Sequence, residues 1–259
     1  MQSIATKIRK RILDLAYKAG PKGAHLGGNL SLVEILLAIY NQARLTNDET
    51  RDRVILSKGH GAMALLAVLE EKEVLTKEEV DSFEENGSHF YAHTPRIVEK
   101  GLEFAGGSLS LGLSFSVGVA LACKKKKIDN QIFVIVGDGE LNEGLSWESI
   151  MSMANYGLNN VTIIVDANKY QLDGSTQEVM NMFELKDKFS AFRLDVYEVD
   201  GHNISEIESI LRISSDKPKV LIANTIKGKG VSFCENNYLW HHNVLSQNLY
   251  EQALKELEE

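Results

Sequence analysis

The stretch Ile132-Phe-Val-Ile-Val-Gly-Asp-Gly139 decides the fold of this sequence. Its first five residues are apolar and mostly β-branched. A second apolar run occupies residues 161–165 and ends in Asp166-Ala-Asn168, with a helical pattern over residues 147–156 between the two runs. Buried strands that alternate with helices are typical of a parallel sheet covered on both faces. We therefore predict an α/β fold with a doubly wound parallel sheet.

The same alternation continues on both sides of this stretch. Downstream, apolar strands are predicted at residues 194–199 and 220–225, with a helix near 204–213 between them. Upstream, a helix punctuated by glycines covers residues 108–127 and leads into the first strand. The repeated order of strand and helix indicates that these segments belong to one sheet.

Helical patterns dominate the first part of the chain, residues 1–105. Ser31 is predicted to cap a helix with apolar residues at positions i, i+3, i+4 and i+7. Thr76 and Glu79 have the spacing of a capping box at the start of a short helix. We predict a single domain over residues 1–259 whose N-terminal section, about 1–105, is helical and packs against the sheet.

The composition excludes several classes of protein. The 259 residues include 28 Lys and Arg against 36 Asp and Glu, a net charge of −8, which disfavours binding to nucleic acid or an anionic membrane through bulk charge. Cys123 and Cys234 have no metal-ligand spacing, so neither a structural zinc site nor a disulfide framework is expected. No run approaches the roughly 18 apolar residues that a membrane span needs, and the N-terminus has the pattern of an amphipathic helix rather than a signal peptide. We expect a cytoplasmic protein.

Polar side chains follow two neighbouring strands of the predicted sheet. Asp138 follows the first apolar run and Asn168 follows the second. Ligands of open parallel sheets bind beyond the carboxyl ends of the strands, and carboxylate and amide oxygens are ligands that suit Mg²⁺. Gly137 and Gly139 would let a phosphate approach the backbone closely. The sequence therefore predicts a magnesium and phosphate site at this edge of the sheet.

Gly137-Asp-Gly139 followed by Asn168 resembles the diphosphate-binding motif of thiamine diphosphate enzymes. Further motifs, in family order and over nearly the whole chain, resemble the N-terminal half of transketolases. They are Gly23-Ala-His-Leu-Gly-Gly28, Ser57-Lys-Gly-His60, Gly106-Gly-Ser-Leu109, Gly137-Asp-Gly-Glu-Leu-Asn-Glu-Gly144, Asp166-Ala-Asn168, Leu172-Asp-Gly174, Val199-Asp-Gly-His202, Thr225-Ile-Lys-Gly-Lys-Gly230 and Trp240-His241. The size of the chain and the Gly-Gly pair after His25 resemble split transketolases, in which this half is a separate subunit.

The resemblance implies that the cofactors are thiamine diphosphate and Mg²⁺, or another divalent cation such as Ca²⁺ or Mn²⁺. The implied metal ligands are Asp138, Asn168 and the carbonyl of Tyr170. The residues implied to bind the cofactor are His60, Gly107, Leu109, Gly137, Asp138, Gly139, Glu140, Asn168 and His241.

Four histidines are implied by the resemblance to line the channel for the donor sugar: His25, His60, His93 and His241. Neutral imidazoles can transfer a proton from one sugar hydroxyl and hydrogen-bond to others near pH 7. Glu143 resembles the carboxylate that connects paired cofactors at the subunit boundary. The alternative for Glu143 is a helix first-turn acid without a catalytic role.

Other positions keep two interpretations. His202 is either a structural turn residue or a neighbour of the cofactor, and either His241 or His242 is the site residue of the Trp-His motif. Split relatives usually have Gly-Gln-Gly at Ser110-Leu-Gly112, next to the expected pyrimidine contacts. Tyr91-Ala-His93-Thr-Pro95 replaces the usual Gly-His-Pro around the donor pocket.

The resemblance also implies a partner. The glutamate that contacts the pyrimidine ring and the arginines that bind the substrate phosphate belong to the other half of transketolases. We therefore expect a C-terminal, pyrimidine-binding subunit in an α2β2 heterotetramer that transfers a two-carbon ketol (glycolaldehyde) unit from a ketose or ketose phosphate to an aldose.

Two alternatives stay open. The first is the α-subunit of a thiamine diphosphate-dependent 2-oxo acid decarboxylase or dehydrogenase, which the set of His25, His60 and His93 disfavours. The second is a catalytically silent binding or regulatory paralogue, which the pair of Asp138 and Asn168 disfavours.

Overall fold

A parallel sheet of five strands forms the centre of the computed structural model, which describes residues 3–258. The spatial order of the strands is β1-β2-β3-β5-β4. Their bounds are β1 Arg53–Leu56, β2 Ile132–Gly137, β3 Val161–Ala167, β4 Asp195–Asp200 and β5 Lys219–Asn224. Every residue of β2 and β3 is buried, as their near-continuous apolar sequences require. The predicted α/β fold with a doubly wound parallel sheet is confirmed.

Helices cover both faces of the sheet. The helices are α1 Ile4–Lys18, α2 Leu26–Leu30, α3 Val33–Tyr40, α4 Ala62–Glu71, α5 Lys77–Asp81, α6 Leu111–Lys126, α7 Gly144–Asn155, α8 Thr176–Met180, α9 Leu185–Ala191, α10 Ile204–Leu211 and α11 Gln247–Glu256. Short 3₁₀ turns lie at Gly20–Lys22, Gly59–Gly61, Val98–Lys100, Gly139–Asn142 and Tyr238–Trp240.

The core is divided into two layers by the sheet. Phe133 and Ile135 of β2 belong to a cluster with α1, α3, α4, α10 and α11. Val134 and Val136, the alternating residues of the same strand, belong to a second cluster with α6, α7 and α9. Side chains of a strand alternate between its two faces, so a central strand that is buried on both faces is apolar at every position.

The register of the strands assembles the candidate site. Gly137 at the end of β2 pairs with Asp166 of β3, and Asp166 pairs with Ala223 of β5. The residues that follow these strands therefore emerge side by side at the carboxyl edge of the sheet. Among the described residues, no helix combines the length and apolar character needed to cross a membrane.

Two details of the N-terminal section differ from the sequence prediction. β1 lies inside the section predicted to be helical and forms the edge of the sheet by pairing with β2. Ser31 is not an N-cap, because α3 begins at Val33 with Leu32 at its N-cap; Ser31 is instead the C-cap residue of α2. The Thr76 capping box is present. The predicted domain bounds 1–259 stay a prediction, and residues 1, 2 and 259 lie outside the described part of the chain.

Candidate active site

A cavity of about 360 Å³ opens at the carboxyl edge of the sheet. All the site residues that were predicted from the sequence line it: His25, His60, His93, Gly107, Leu109, Gly137, Asp138, Gly139, Glu140, Glu143, Asn168, Tyr170 and His241. They come from separate loops that stretch from before α2 to the end of the last 3₁₀ turn. The fold thus brings the predicted metal, cofactor and donor-sugar residues to one place.

Asp138 lies at the base of this cavity and is buried. Its Oδ1 accepts a hydrogen bond from the backbone N–H of Gly139 at 2.8 Å, and its Oδ2 accepts one from the N–H of Lys169 at 2.6 Å. Burial, and secondarily the negative charge of Asp166, raises the pKa of Asp138 to about 7. Within residues 3–258 no side-chain cation forms an ion pair with this carboxylate. A bound divalent metal would supply the missing positive charge and favour the ionised carboxylate.

Asp166 is completely buried but fully partnered. Its Oδ2 lies 2.5 Å from the Nζ of Lys58 and accepts hydrogen bonds from Ser31 Oγ at 2.7 Å and Asn168 Nδ2 at 3.0 Å. The hydroxyl of Thr225 donates to its other oxygen. Although burial alone would raise its pKa, Lys58 and these hydrogen bonds hold the pKa of Asp166 below its usual value. Ser31 therefore both ends α2 and partners the buried Asp166.

The same contacts orient the amide of Asn168. Because Nδ2 donates to Asp166, the amide oxygen Oδ1 faces the other way and accepts a hydrogen bond from the N–H of Tyr170 at 3.1 Å. The carbonyl of Tyr170 lies 3.3 Å from the Nζ of Lys227. Carboxylate, amide and backbone oxygens thus line one region of the cavity, and such an all-oxygen donor set fits Mg²⁺ with water in the remaining positions.

Lys227 is a buried cation that the sequence analysis did not select. Its Nζ lies 3.3 Å from the carbonyls of Tyr170 and Gln171 and 3.2 Å from Nδ1 of His241. Burial, and then repulsion by Lys58, lowers the pKa of Lys227 to about 8. Lys58 and Lys227 therefore bring positive charge to the wall of an otherwise acidic protein.

Glu140 ties three segments of the cavity wall together. One carboxylate oxygen accepts hydrogen bonds from the hydroxyl of Ser57 and the N–H of Ser110, and the other accepts from the N–H of Gly137 at 3.1 Å. Burial raises its pKa. Glu143, in contrast, is exposed at the N-cap position of α7, and its side chain makes no capping hydrogen bond.

The four predicted histidines form a cluster in the wall of the cavity. The ring of His25 lies at 5.6 Å from His60, 5.4 Å from His93 and 5.5 Å from His241, measured between ring centroids. Burial is the main cause that lowers the pKa of His25 and His241 to about 3. It also lowers the pKa of His60 and His93. The four imidazoles are neutral at pH 7 and can both donate and accept hydrogen bonds.

His241 rather than His242 lines the cavity. The ring of His242 packs edge-on against His25, with 4.6 Å between centroids, so it supports the cluster from outside. The buried amide of Asn29 donates to the carbonyls of His25 and His60 at 2.5 and 2.8 Å and joins their two loops.

The loop that carries Gly107 and Leu109 approaches His60 through a contact between glycines. A Cβ on Gly59 would lie 2.6 Å from the Cα of Gly106, which leaves no room for a side chain. Gly107 adopts a φ of +141°, a conformation that favours glycine. This packing places Leu109, which is 39% exposed, at the rim of the cavity.

Comparison with known proteins identifies the family of this chain. A family model described as "Transketolase, thiamine diphosphate binding domain" matches residues 1–257. The chain belongs to the transketolase family. The similarity that the sequence motifs indicated is thereby confirmed.

Relatives of two lengths match this transketolase-family chain. A subunit of the apulose-4-phosphate transketolase of Phocaeicola vulgatus is 40% identical over 98% of this chain and 92% of its own length. The 6-deoxy-6-sulfo-D-fructose transketolase subunit SqwG of a Clostridium species is 37% identical over 100% of this chain and 96% of its own. The transketolase structure from Campylobacter jejuni superposes with a TM-score of 0.89 at 28% identity, covering 98% of this chain but 42% of that one. The chain thus spans about two fifths of this longer transketolase.

The sequence analysis did not identify several charged residues in and around the cavity. Lys58, Asp166 and Lys227 lie inside motifs that were recognised, but no local pattern distinguishes a buried, paired lysine from a surface one. His202, whose role was open, is not among the residues that line the cavity. It hydrogen-bonds with Glu34 and with the backbone of Ile226, so its contacts are with the structure around the cavity and not with the cavity itself.

The histidine cluster of the transketolase-family chain predicts a loss of stability in acid. In an unfolded chain imidazoles titrate near pH 6.5, whereas the pKa of His25 and His241 in the folded chain is about 3. Between about pH 6.5 and 3 the unfolded chain binds more protons, so the free energy of unfolding falls as the pH falls. Asp138, with its raised pKa of about 7, acts in the opposite sense between about pH 4 and 7, and Glu140, whose pKa is also raised, acts in the same sense as Asp138. The four histidines outnumber these two carboxylates.

Thermal unfolding of the ligand-free chain between pH 7.5 and 5 measures this effect. The change His25→Asn is expected to recover about 1 kcal/mol of the stability lost at pH 5.5. His89→Asn, at an exposed histidine outside the cavity, serves as the control. Equal slopes of melting temperature against pH for wild type and His25→Asn would contradict the prediction.

Proposed function

We propose that this chain is the diphosphate-binding subunit of a two-component transketolase. With its partner it would transfer a two-carbon ketol unit from a ketose or ketose phosphate to an aldose, using thiamine diphosphate and a divalent cation. The observation that carries the proposal is the single cavity in which a buried carboxylate without an ion-pair partner in the described chain, Asp138, faces a cluster of neutral histidines. The names and lengths of the relatives called transketolase subunits support it.

The metal would be held by Asp138, Asn168 and the carbonyl of Tyr170. The fit rests on the raised pKa of Asp138 and on the fixed orientation of the Asn168 amide, which presents its oxygen away from Asp166. Mg²⁺ is the ion that such oxygen ligands favour, and Ca²⁺ and Mn²⁺ accept the same donor types.

The diphosphate would lie beside that metal. Gly139 and His60 line this part of the cavity, and Lys58 and Lys227 contribute positive charge. Gly107 and Leu109, at the rim, are placed to contact the aminopyrimidine end. Thiamine diphosphate, when bound, supplies the nucleophilic carbon for the ketose carbonyl, while the protein provides orientation and charge.

The histidine cluster would bind and orient the donor sugar. Since their pKa values are lowered, His25 and His241 stay neutral and can each hydrogen-bond to a sugar hydroxyl. His60 and His93 would fix the orientation of the other hydroxyls. Glu143, which is exposed and lines the cavity, would contact a neighbouring subunit.

The partner would be a C-terminal, pyrimidine-binding transketolase subunit in an α2β2 heterotetramer. Exposed apolar side chains lie at the cavity rim and on the nearby segment that includes α8, where a second chain would cover them: Leu109, Leu111, Leu172, Val179, Met180 and Phe183. We place the assembly in the cytoplasm, where phosphorylated sugars are retained.

The proposal is tested by mixing the chain with this partner and assaying two classes of donor, a ketose and a 2-oxo acid. Cleavage of a ketose such as xylulose 5-phosphate, with transfer to an aldose, is the expected result. Decarboxylation of a 2-oxo acid in place of ketose cleavage would instead identify the decarboxylase or dehydrogenase class. Turnover of neither donor, with both cofactors bound, would indicate a silent paralogue.

His93 is expected to act on the donor more than on the cofactor. It lies on the cavity wall beside His25 and is not part of the proposed metal ligand set, so His93→Ala would remove a hydrogen bond to the sugar. We expect kcat/KM for the ketose to fall by about tenfold or more, with thiamine diphosphate affinity within about twofold. Steady-state kinetics measure this, with His89→Ala as the control. An unchanged kcat/KM would remove His93 from the donor channel.

A further inference from the structure

Residues 225–229 form the segment that carries two side chains into the candidate site. The hydroxyl of Thr225 donates to Asp166, and the Nζ of Lys227 reaches the carbonyl of Tyr170. Both contacts require the backbone of this short segment to be held in one place, since Lys227 is 1% exposed and its ammonium has to reach the cavity wall.

The segment is anchored at both ends. The backbone N–H of Ile226 donates to Nε2 of His202 at 2.9 Å. The carbonyl of Lys229 accepts a hydrogen bond from Nε of Arg9 at 2.9 Å. Lys227 lies between these two anchors, and the N–H of the following Gly228 donates to the carbonyl of Gly27 at 2.9 Å.

The carboxylate of Glu34 binds both anchoring residues, Arg9 and His202. Arg9 donates two hydrogen bonds to the carboxylate of Glu34, at 2.7 and 2.8 Å, and all these groups are buried. Glu34 Oε2 also lies 2.9 Å from Nδ1 of His202. Burial opposes the charge of Glu34, but the hydrogen bonds from His202 and Arg9 lower its pKa, so the carboxylate is ionised.

This contact selects the tautomer of His202. The backbone N–H of Ile226 can only donate, so Nε2 is the acceptor of this hydrogen bond and carries no proton. Nδ1 therefore carries the proton and donates a hydrogen bond to the Glu34 carboxylate. A carboxylate that fixes one imidazole nitrogen as the donor fixes the other as the acceptor.

We propose that His202 is a positioning residue, which Glu34 holds in one tautomer so that it fixes residues 225–229 and thereby directs Lys227 towards the diphosphate of the cofactor. The inference rests on the function proposed above. It extends the site beyond the residues that line the cavity to an ion pair between α1 and α3.

Two substitutions of similar size separate the roles of the two ring nitrogens. His202→Gln can present an amide oxygen near the position of Nε2 and keeps an acceptor for Ile226. His202→Asn presents its amide nearer the position of Nδ1, so it can still contact Glu34 but leaves the N–H of Ile226 without its partner. The comparison of the two controls for a general loss of packing.

Hydrogen–deuterium exchange of the purified chain is the first measurement. In His202→Asn the amides of residues 226–228 are expected to exchange about tenfold faster than in wild type, whereas His202→Gln stays within about twofold. Exchange in β2 and β3 is expected to be unchanged in both. Wild-type exchange of residues 226–228 in His202→Asn would overturn the proposal.

Cofactor titration of the assembled two-subunit enzyme is the second measurement. His202→Asn is expected to weaken thiamine diphosphate binding about five- to tenfold when Lys227 is present, and to have no further effect in a Lys227→Ala background. Equal weakening in both backgrounds would show that His202 does not act through Lys227 and would overturn the proposal. Failure of the wild-type assembly to bind the cofactor would instead contradict the proposed function, and the exchange experiment would still decide whether His202 anchors the segment.

Discussion

Purified alone, the chain is expected to transfer ketol units at least about a hundredfold more slowly than the same chain mixed with its pyrimidine-binding partner. The cavity wall carries the residues proposed to bind the metal, the diphosphate and the donor sugar, but Leu109 at its rim is exposed. The glutamate that would contact the pyrimidine ring is proposed to belong to the partner. General acid–base groups contribute about 10²–10⁴ to rates. Ketose consumption with and without the partner, at saturating thiamine diphosphate and Mg²⁺, measures the difference.

Assembly is also expected to raise the melting temperature. Ligands at a hundred times their dissociation constant stabilise the state that binds them by about 2.7 kcal/mol, which corresponds to roughly 5–10 °C for a chain of this size. The matched control is the partner without cofactors. Full activity from the single chain would refute the two-component proposal.

Asp138→Ala is expected to weaken metal-dependent binding of thiamine diphosphate by at least about a hundredfold. Asp138 is the one carboxylate in the proposed ligand set, and its pKa of about 7 reflects burial that only a cation would offset. Asp138→Asn removes the charge without emptying the space of the side chain, and its single amide oxygen keeps one of the two hydrogen bonds from the N–H groups of Gly139 and Lys169.

Calorimetric titration of the assembled enzyme with the cofactor, with and without Mg²⁺, measures this effect. Because the substitution removes a buried acid rather than a packing group, the ligand-free chain is expected to melt within about 3 °C of wild type. Asp216→Ala, at an exposed position away from the cavity, is the control. Wild-type affinity in Asp138→Ala would exclude Asp138 from the metal site.

The strands that carry the site could be predicted because their signal is local. β2 and β3 are long apolar runs, each followed by polar residues, and strands that are buried on both faces have no other composition available. β1 has four residues and begins with Arg53, so its sequence alone does not distinguish it from the neighbouring helices. It becomes a strand by hydrogen-bonding to the edge of β2.

The sequence by itself determined the fold class and the order of the strands from β2 onwards, and its resemblance to a known family indicated most of the residues around the cavity. Those features depend on periodicity and on motifs whose members are a few residues apart. The tertiary structure alone decided which buried charges neutralise one another. Lys58 and Asp166 are distant in sequence, and their pairing leaves Asp138 without an ion-pair partner in the described part of the chain. It also decided that His202 serves the backbone of Ile226, because a histidine's tautomer depends on the partners that the fold places beside each nitrogen.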